Sequence, residues 1–481
     1  MNKTVSLSVI LLIFSLSACH SGNYVDEKQT SPEKPNVILI FTDDQGYQDL
    51  SSFGASKLNT PNIDDLTNTG IKFTNFYVAA AICSPSRASL LSGLRPRNNG
   101  VLDVFWPGDA GMAPEVNTIA ETLGDSGYAT AAFGKWHLGD TPQTLPTSQG
   151  FDTYYGIPYS NDMYIHSTHK AADNVIWNEG YNQEMFVNDQ QFVANNDGKI
   201  SVLLAELKNK VPLFEDEKVV EYPANQAKLT KNYFNKTIAF IENNKNNPFF
   251  VYLTPSMPHV PLFADNQFLG KSDRGIYGDV IEEIDWYVGK LVTYLKEKGL
   301  FDNTIILFTS DNGPWTEKGD HAGKTGVFRD GKFSNYEGGV RVPTIISWPN
   351  GIVKPRDSDL IASTLDIFPT LIEAINIKSN LRFDGRSLLN VFQKNNSQIT
   401  SEPHFYNLRD EIAGVRLGKW KYLRANKAHR WNKNATALLF DLESDPSEKV
   451  NLAIQYPQHV RELELLIHTQ ESQVNTNTLS K

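Results

Sequence analysis

Val37-Ile38-Leu39-Ile40-Phe41-Thr42-Asp43-Asp44 opens the folded part of the chain, and its reading decides the fold. Five consecutive apolar residues, mostly β-branched or aromatic, are too short a run for a core helix and leave no polar face for a half-exposed strand. A strand that is apolar on both faces belongs in a sheet covered by helices on both sides, the usual setting of parallel strands. The same texture returns at Phe249-Phe250-Val251-Tyr252-Leu253, Thr304-Ile305-Ile306-Leu307-Phe308 and Thr344-Ile345-Ile346-Ser347-Trp348. Between these runs, amphipathic helices are expected over 62–69, 115–126, 230–244, 279–298 and 365–375. Strands alternating with helices predict an α/β fold with a mostly parallel sheet sandwiched by helices.

The texture changes near residue 390. An alternating segment at 415–423 and a second strand at 438–442 read as antiparallel strands of a smaller α+β unit, closed by a helix over 456–471. The expected division is a main domain over 35–390 and a C-terminal subdomain over 391–481. Residues 152–221 show no clear period and are rich in Asn, Tyr and Asp, and so read as a long functional loop region.

Composition narrows the function. The 481 residues are 40% hydrophobic and 21% charged, which fits a globular chain with a large core and excludes a disordered or fibrous one. A net charge of -10 argues against a nucleic-acid partner. The only cysteines are Cys19 and Cys83, so no disulfide scaffold is expected and each is read alone. Residues 1–18 carry Lys3 and an apolar stretch over 5–16 too short to span a bilayer. They end in Leu16-Ser17-Ala18-Cys19, which resembles the lipobox of bacterial lipoproteins; a plain secretory peptide cut after Ala18 is the alternative. A polar tether over 19–34 follows. The expectation is a lipid-anchored protein of the bacterial cell envelope, periplasmic or on the outer-membrane surface, with acylated Cys19 in the bilayer.

The first strand delivers Asp43-Asp44, and the strand at Thr304 delivers Asp311-Asn312. Ligands of α/β sheets bind beyond the carboxyl ends of the strands. Two acidic strand ends at one edge are either solvated turns or an all-oxygen cation site. In the latter case a hard ion, Ca²⁺ before Mg²⁺, is favoured over zinc. Cys83-Ser84-Pro85-Ser86-Arg87-Ala88-Ser89-Leu90-Leu91-Ser92-Gly93 places Cys83 at a helix N-terminus, with Gly93 as the end cap. Taken alone, Cys83 could be a small buried residue or could lie against a bound anion.

The whole pattern C-x-P-S-R-x-x-x-L-x-G resembles the signature of the type I, formylglycine-dependent sulfatases. Further stretches resemble that family in order: Gly134-Lys135-Trp136-His137-Leu138-Gly139, Pro258-His259-Val260-Pro261, Gly331-Lys332-Phe333 through Glu337-Gly338-Gly339, and Leu439-Phe440-Asp441-Leu442 with Glu448. Gly156-Ile157-Pro158-Tyr159-Ser160 is similar to the arylsulfatase A and galactosamine-6-sulfatase branch.

The resemblance implies an alkaline-phosphatase-like fold and a sulfatase acting on a sulfated polysaccharide, either an algal glycan or a glycosaminoglycan. It implies that a formylglycine-generating or sulfatase-maturing enzyme converts Cys83 to formylglycine. One Ca²⁺ would be held by Asp43, Asp44, Asp311, Asn312 and residue 83. Lys135, Lys332 and Ser160 would bind the sulfate. Arg87 would steady the hydrated aldehyde, Asp311 help deprotonate it, His259 protonate the leaving oxygen and His137 take the second diol proton. Lys324 stands in a similar Gly-rich context, but Lys332 has the family spacing. His166, His169 and His321 match no family position. Substrate selection is expected from residues 152–221. The competing readings are a phosphonate monoester or phosphodiester hydrolase of the same superfamily, and a surface glycan-binding lipoprotein without catalysis.

Overall fold

A computed structural model describes residues 34–393, 402–431 and 433–478; Cys19 and most of the tether lie outside these residues. The strand Asn36–Thr42 sits in the middle of an eleven-stranded sheet, paired in parallel with Thr304–Ser310 on one side and Phe249–Thr254 on the other. Beyond Phe249–Thr254 come Ala129–Gly134 and Thr153–Gly156, also parallel. The apolar run is divided between two cores. Val37, Leu39 and Phe41 join one cluster with the helices Cys83–Ser92, Ile119–Asp125 and Ile367–Ile375. Ile38 and Ile40 join the other, with Gln226–Asn244 and Ile276–Glu297. Covering both faces removes the apolar surface of every central strand from water, worth about 25 cal/mol per Å².

The register fixes the site. Thr42 pairs with Ser310, so Asp43 and Asp311 leave the sheet side by side at its carboxyl edge. The strand Thr344–Ser347 departs from the parallel expectation, running antiparallel to both Thr304–Ser310 and Gly70–Phe73. After Ser310 the chain stays at the carboxyl edge, where it supplies Lys332, and it re-enters the sheet from that edge; a parallel strand would need a crossover to the opposite edge.

Residues 152–221 are not the irregular loop that their composition suggests. They form the strands Thr153–Gly156, Ala171–Trp177, Leu213–Glu215 and Lys218–Tyr222, and the helices Gln183–Asn195 and Ile200–Leu207, extending the sheet to its far edge. Ala171–Trp177 is an edge strand with no fully buried residue, so it carries no apolar alternation to read. Tyr159 and Tyr164 are buried, Tyr164 in the main core and Tyr159 edge-on to His137.

The C-terminal sheet is antiparallel throughout: His404–Leu408, Glu411–Leu417, Trp420–Leu423 and Leu438–Asp441. Its outer face takes Leu463 and Ile467 of the closing helix Pro457–Thr478, while Tyr406, Ala413, Leu423 and Phe440 join the main core. Among the described residues no helix is long and apolar enough to cross a membrane.

Candidate active site

Each strand end at the carboxyl edge contributes polar groups. Asn36–Thr42 delivers Asp43 and Asp44, Thr304–Ser310 delivers Asp311 and Asn312, and Ala129–Gly134 delivers Lys135 and His137. Ser160 follows Thr153–Gly156, and His259 follows Phe249–Thr254. Asp44 and His137 both sit at φ 61°, a left-handed conformation that non-glycine residues hold only when their surroundings impose it. Cys83 is the first residue of its helix; Ile82 precedes it in extended conformation and Gly93 ends it at φ 67°.

These groups converge. The Cys83 thiol donates to Asp43 Oδ1 at 3.5 Å and receives Lys332 Nζ at 3.2 Å. Lys332 also pairs with Asp44 at 2.6 Å, and Lys135 with Asp43 at 2.6 Å, its Nζ lying 3.4 Å from Ser160 Oγ. Arg87 grips Asp311 Oδ2 through Nε and Nη2, both at 2.9 Å, and donates Nη1 to the Lys135 carbonyl at 2.9 Å. All of these side chains are buried.

Hydrogen bonds assign the histidine tautomers. His259 Nδ1 meets the Val260 carbonyl at 2.6 Å and Asn161 Oδ1 at 3.0 Å, both acceptors, so Nδ1 carries a proton. Nε2 is left facing Ser160 Oγ at 3.2 Å and Asp44 Oδ2 at 3.7 Å. His137 Nε2 donates to the Phe105 carbonyl at 3.1 Å, leaving Nδ1 buried without a partner as a free acceptor.

Burial and neighbouring charges set the protonation. Burial alone would raise Asp43, but Lys135, His259, Arg87 and Lys332 together hold its carboxyl well below the usual range. Asp311 is pushed up to about 6 by burial and by the nearby Asp43. Burial, with Lys135 beside it, pulls His137 well down, so its imidazole is neutral. Burial and Lys332 lower His259 in the same way. Burial, with Asp311 adding, drives the Cys83 thiol far up; protonated at neutral pH, it is itself no nucleophile.

The site suits a cation. One ligand atom each from Asp43, Asp44, Cys83 and Asp311 fall within 4.8 Å of one another. Among the described residues Asp44 Oδ2 and Asn312 Oδ1 find no hydrogen-bond partner, two buried oxygens whose burial is costly unless something positive meets them. The Asn312 amide donates to Asp44 Oδ1 at 2.6 Å and to the Gly313 carbonyl, which turns its oxygen outward as an acceptor.

Cys19 lies outside the described residues; the other site residues expected from the sequence lie in or against this cluster. Lys324 does not: its backbone N–H binds Asp49, away from Cys83. His169 Nε2 contacts Asp140 at 2.8 Å while its Nδ1 accepts the His166 N–H at 3.1 Å, which uses both of its ring nitrogens within the fold. His321 is exposed. Sequence reasoning passed over Asn161, which fixes the His259 tautomer, and Trp315, whose ring lies 5.4 Å from Lys332 Nζ. It also passed over the support of the Lys332 loop. Glu337 is buried against Lys421 at 2.8 Å, Tyr77 at 2.6 Å and Arg341 at 3.2 Å, and Lys421 reaches Glu448 at 2.8 Å. Asn161 could have been found as the neighbour of Ser160. The ion-pair network could not, because its members are far apart in sequence.

Residues 35–377 match the Sulfatase family profile, and residues 323–475 match that of the N-sulphoglucosamine sulphohydrolase C-terminal region. The chain is 34% identical to an N-acetylgalactosamine-6-O-sulfatase of Bacteroides thetaiotaomicron, over 97% of this chain and 99% of that protein. It is 35% identical to human arylsulfatase A, over 87% of this chain and 83% of the relative. The solved structure of Ps i-CgsB in complex with k-i-k-neocarrahexaose superposes with a TM-score of 0.73 at 30% identity, covering 91% of this chain and 93% of that one.

Proposed function

This chain belongs to the sulfatase family of sulfuric ester hydrolases, and from that premise we propose that it removes sulfate from a sulfated glycan, with residue 83, matured to formylglycine, as nucleophile and one Ca²⁺ beside it. The observation that carries the reading is Cys83 at a helix start, with Lys332 and Asp43 on its sulfur and Asp44, Asp311 and Lys135 close around it. A family relative named for N-acetylgalactosamine 6-O-sulfate and another bound to neocarrahexaose support galacto-configured sugars as the substrate class.

When present, formylglycine supplies a diol oxygen for attack on sulfur and Ca²⁺ offsets charge on the sulfate oxygens. Conversion of the sulfur position to oxygen makes the donor set all-oxygen, which favours Ca²⁺ over zinc, with Mg²⁺ second. Asp43, Asp44, Asp311 and Asn312 hold the cation. Three carboxylates face the cations of Arg87, Lys135 and Lys332, so an added dication leaves the pocket net positive, as an anionic ester requires.

Lys135, Lys332 and Ser160 hold the sulfate oxygens. Arg87 keeps Asp311 oriented, and Asp311, raised toward neutrality, draws the proton from the attacking hydroxyl. With Nδ1–H fixed, His259 works at Nε2: it first takes up a proton there, on the side where Asp44 and Asp43 favour the charged ring, and then delivers it to the departing sugar oxygen. Neutral His137 accepts at Nδ1 the proton whose removal frees sulfate. Leu16-Ser17-Ala18-Cys19 supports a lipid anchor and a cell-envelope location, with a maturation enzyme as a partner of the exported chain.

The test is a desulfation assay on defined galactan and galactosaminoglycan oligosaccharides, with phenyl phosphonate as the alternative ester. The peptide containing residue 83 should be about 18 Da lighter than its thiol form. Full activity with an intact thiol, or faster phosphonate than sulfate turnover, overturns the reading.

A further inference from the structure

Beside His259, behind Val260 and Pro261, lies a cavity of about 480 Å³. The volume lies within the range of about 300–1,000 Å³ typical of small-molecule sites. The cavity adjoins the reaction site: Val260 and Pro261, next in sequence to His259, line it, as does Trp315, whose ring centroid is 6.2 Å from that of His259. Trp106 lines it too, next in sequence to the Phe105 carbonyl that holds His137. Both indoles are partly exposed, the state in which an aromatic face can stack on a sugar ring.

A neutral sugar would need only those walls. Lys208, Lys318 and His321 also line the cavity and are exposed, and Asp162 is the one acid in its lining. Lys318 Nζ lies 3.9 Å from the Trp315 ring centroid, which sets a positive charge on the stacking wall itself. Among the described residues neither Lys208 nor Lys318 has an ion-pair partner. On a chain of net charge -10, a cavity with this excess of cations stands against the overall field and marks a local demand for negative charge.

We infer that this cavity is the subsite for the sugar adjoining the one that bears the scissile sulfate, and that it takes a second anionic group there, a sulfate or a uronate carboxylate. The inference rests on the glycan reading above. It makes the preferred substrate a multiply charged glycan, with Lys208 and Lys318 as the specificity-determining cations.

The experiment measures inhibition of 4-nitrocatechol sulfate turnover by size-matched disaccharides. The probes are a monosulfated κ-type neocarrabiose, a disulfated ι-type neocarrabiose, and a chondroitin 6-sulfate disaccharide whose second anion is a carboxylate. At least one doubly charged disaccharide should bind roughly tenfold more tightly than the monosulfated one, and which of them does so identifies the anion. In Lys208→Ala/Lys318→Ala the ratio should fall to within about twofold. Equal inhibition by singly and doubly charged disaccharides, or a ratio that survives the double substitution, overturns the subsite alone. No inhibition by any disaccharide, with the aryl ester still turned over, overturns the glycan reading and the subsite with it.

Discussion

Lys421→Met tests how the C-terminal sheet supports the loop that carries Lys332. Lys421 lies on Trp420–Leu423, fully buried, with its ammonium 2.8 Å from both Glu337 and Glu448. Met fills a similar volume, so the change removes charge rather than packing. Glu337 keeps Arg341 at 3.2 Å and the Tyr77 hydroxyl at 2.6 Å, whereas among the described residues Glu448 keeps only the Glu337 N–H at 2.7 Å. One buried carboxylate is therefore orphaned, which costs about 3–5 kcal/mol. Over a fold of this size, at about 2.1 cal/mol/K per residue, the unfolding entropy is roughly 0.9 kcal/mol/K, so the melting temperature should fall by about 3–6 °C. Burial, with Glu337 beside it, raises Glu448 to about 7 even with Lys421 present. A carboxyl raised above its unfolded value binds its proton more tightly when folded, so its stabilisation is full below the unfolded pKa and fades as pH rises through the folded one. Without Lys421 the orphan escapes its charge by keeping that proton, and the variant should lose less at pH 5 than at pH 8. Differential scanning calorimetry at both pH values, with exposed Lys57→Met as control, measures this. A loss below about 1 °C at pH 8, or one equal at the two pH values, would refute the reasoning.

His259→Ala should lower kcat on a sugar sulfate by about 10²–10⁴ but on 4-nitrocatechol sulfate by less than about tenfold, because a good leaving group needs no proton; equal losses count against the general-acid role. Asp44→Asn should remove the bound divalent cation and activity together, and elemental analysis finding a full equivalent of metal in the variant would exclude Asp44 as a ligand. Ser160→Ala, which takes a hydroxyl from Lys135 and His259, should cost about tenfold in kcat/KM on sulfates of every size, and an effect confined to large glycans would move Ser160 out of the sulfate pocket.

What could be read in the sequence was what local pattern encodes. The run at Val37 announces a strand covered on both faces, and it lies in one core with Leu39 and in the other with Ile38. The Asp pairs after two such runs come together in a buried acidic cluster that could hold a metal, because parallel register brings equivalent strand ends side by side. Cys83 is identified by a motif contained in a single helix. The unread parts depend on residues distant in sequence. Ala171–Trp177 has no buried face to alternate, and the antiparallel course of Thr344–Ser347 follows from where the preceding loop must stay. Lys421 looks like a solvated residue of an alternating strand until Glu337, 84 positions away, is known to lie beneath it.

The depth of Cys83 sets an order of events. Its side chain is 2% exposed, beneath Lys332 from a loop that is in turn anchored by the last sheet of the chain. No enzyme active site could close around that sulfur once the strands after residue 400 have paired. Whatever chemistry alters residue 83 must therefore act before those strands close over it. Folding then seals the product in, and a chain that folds before it is modified keeps its thiol for good.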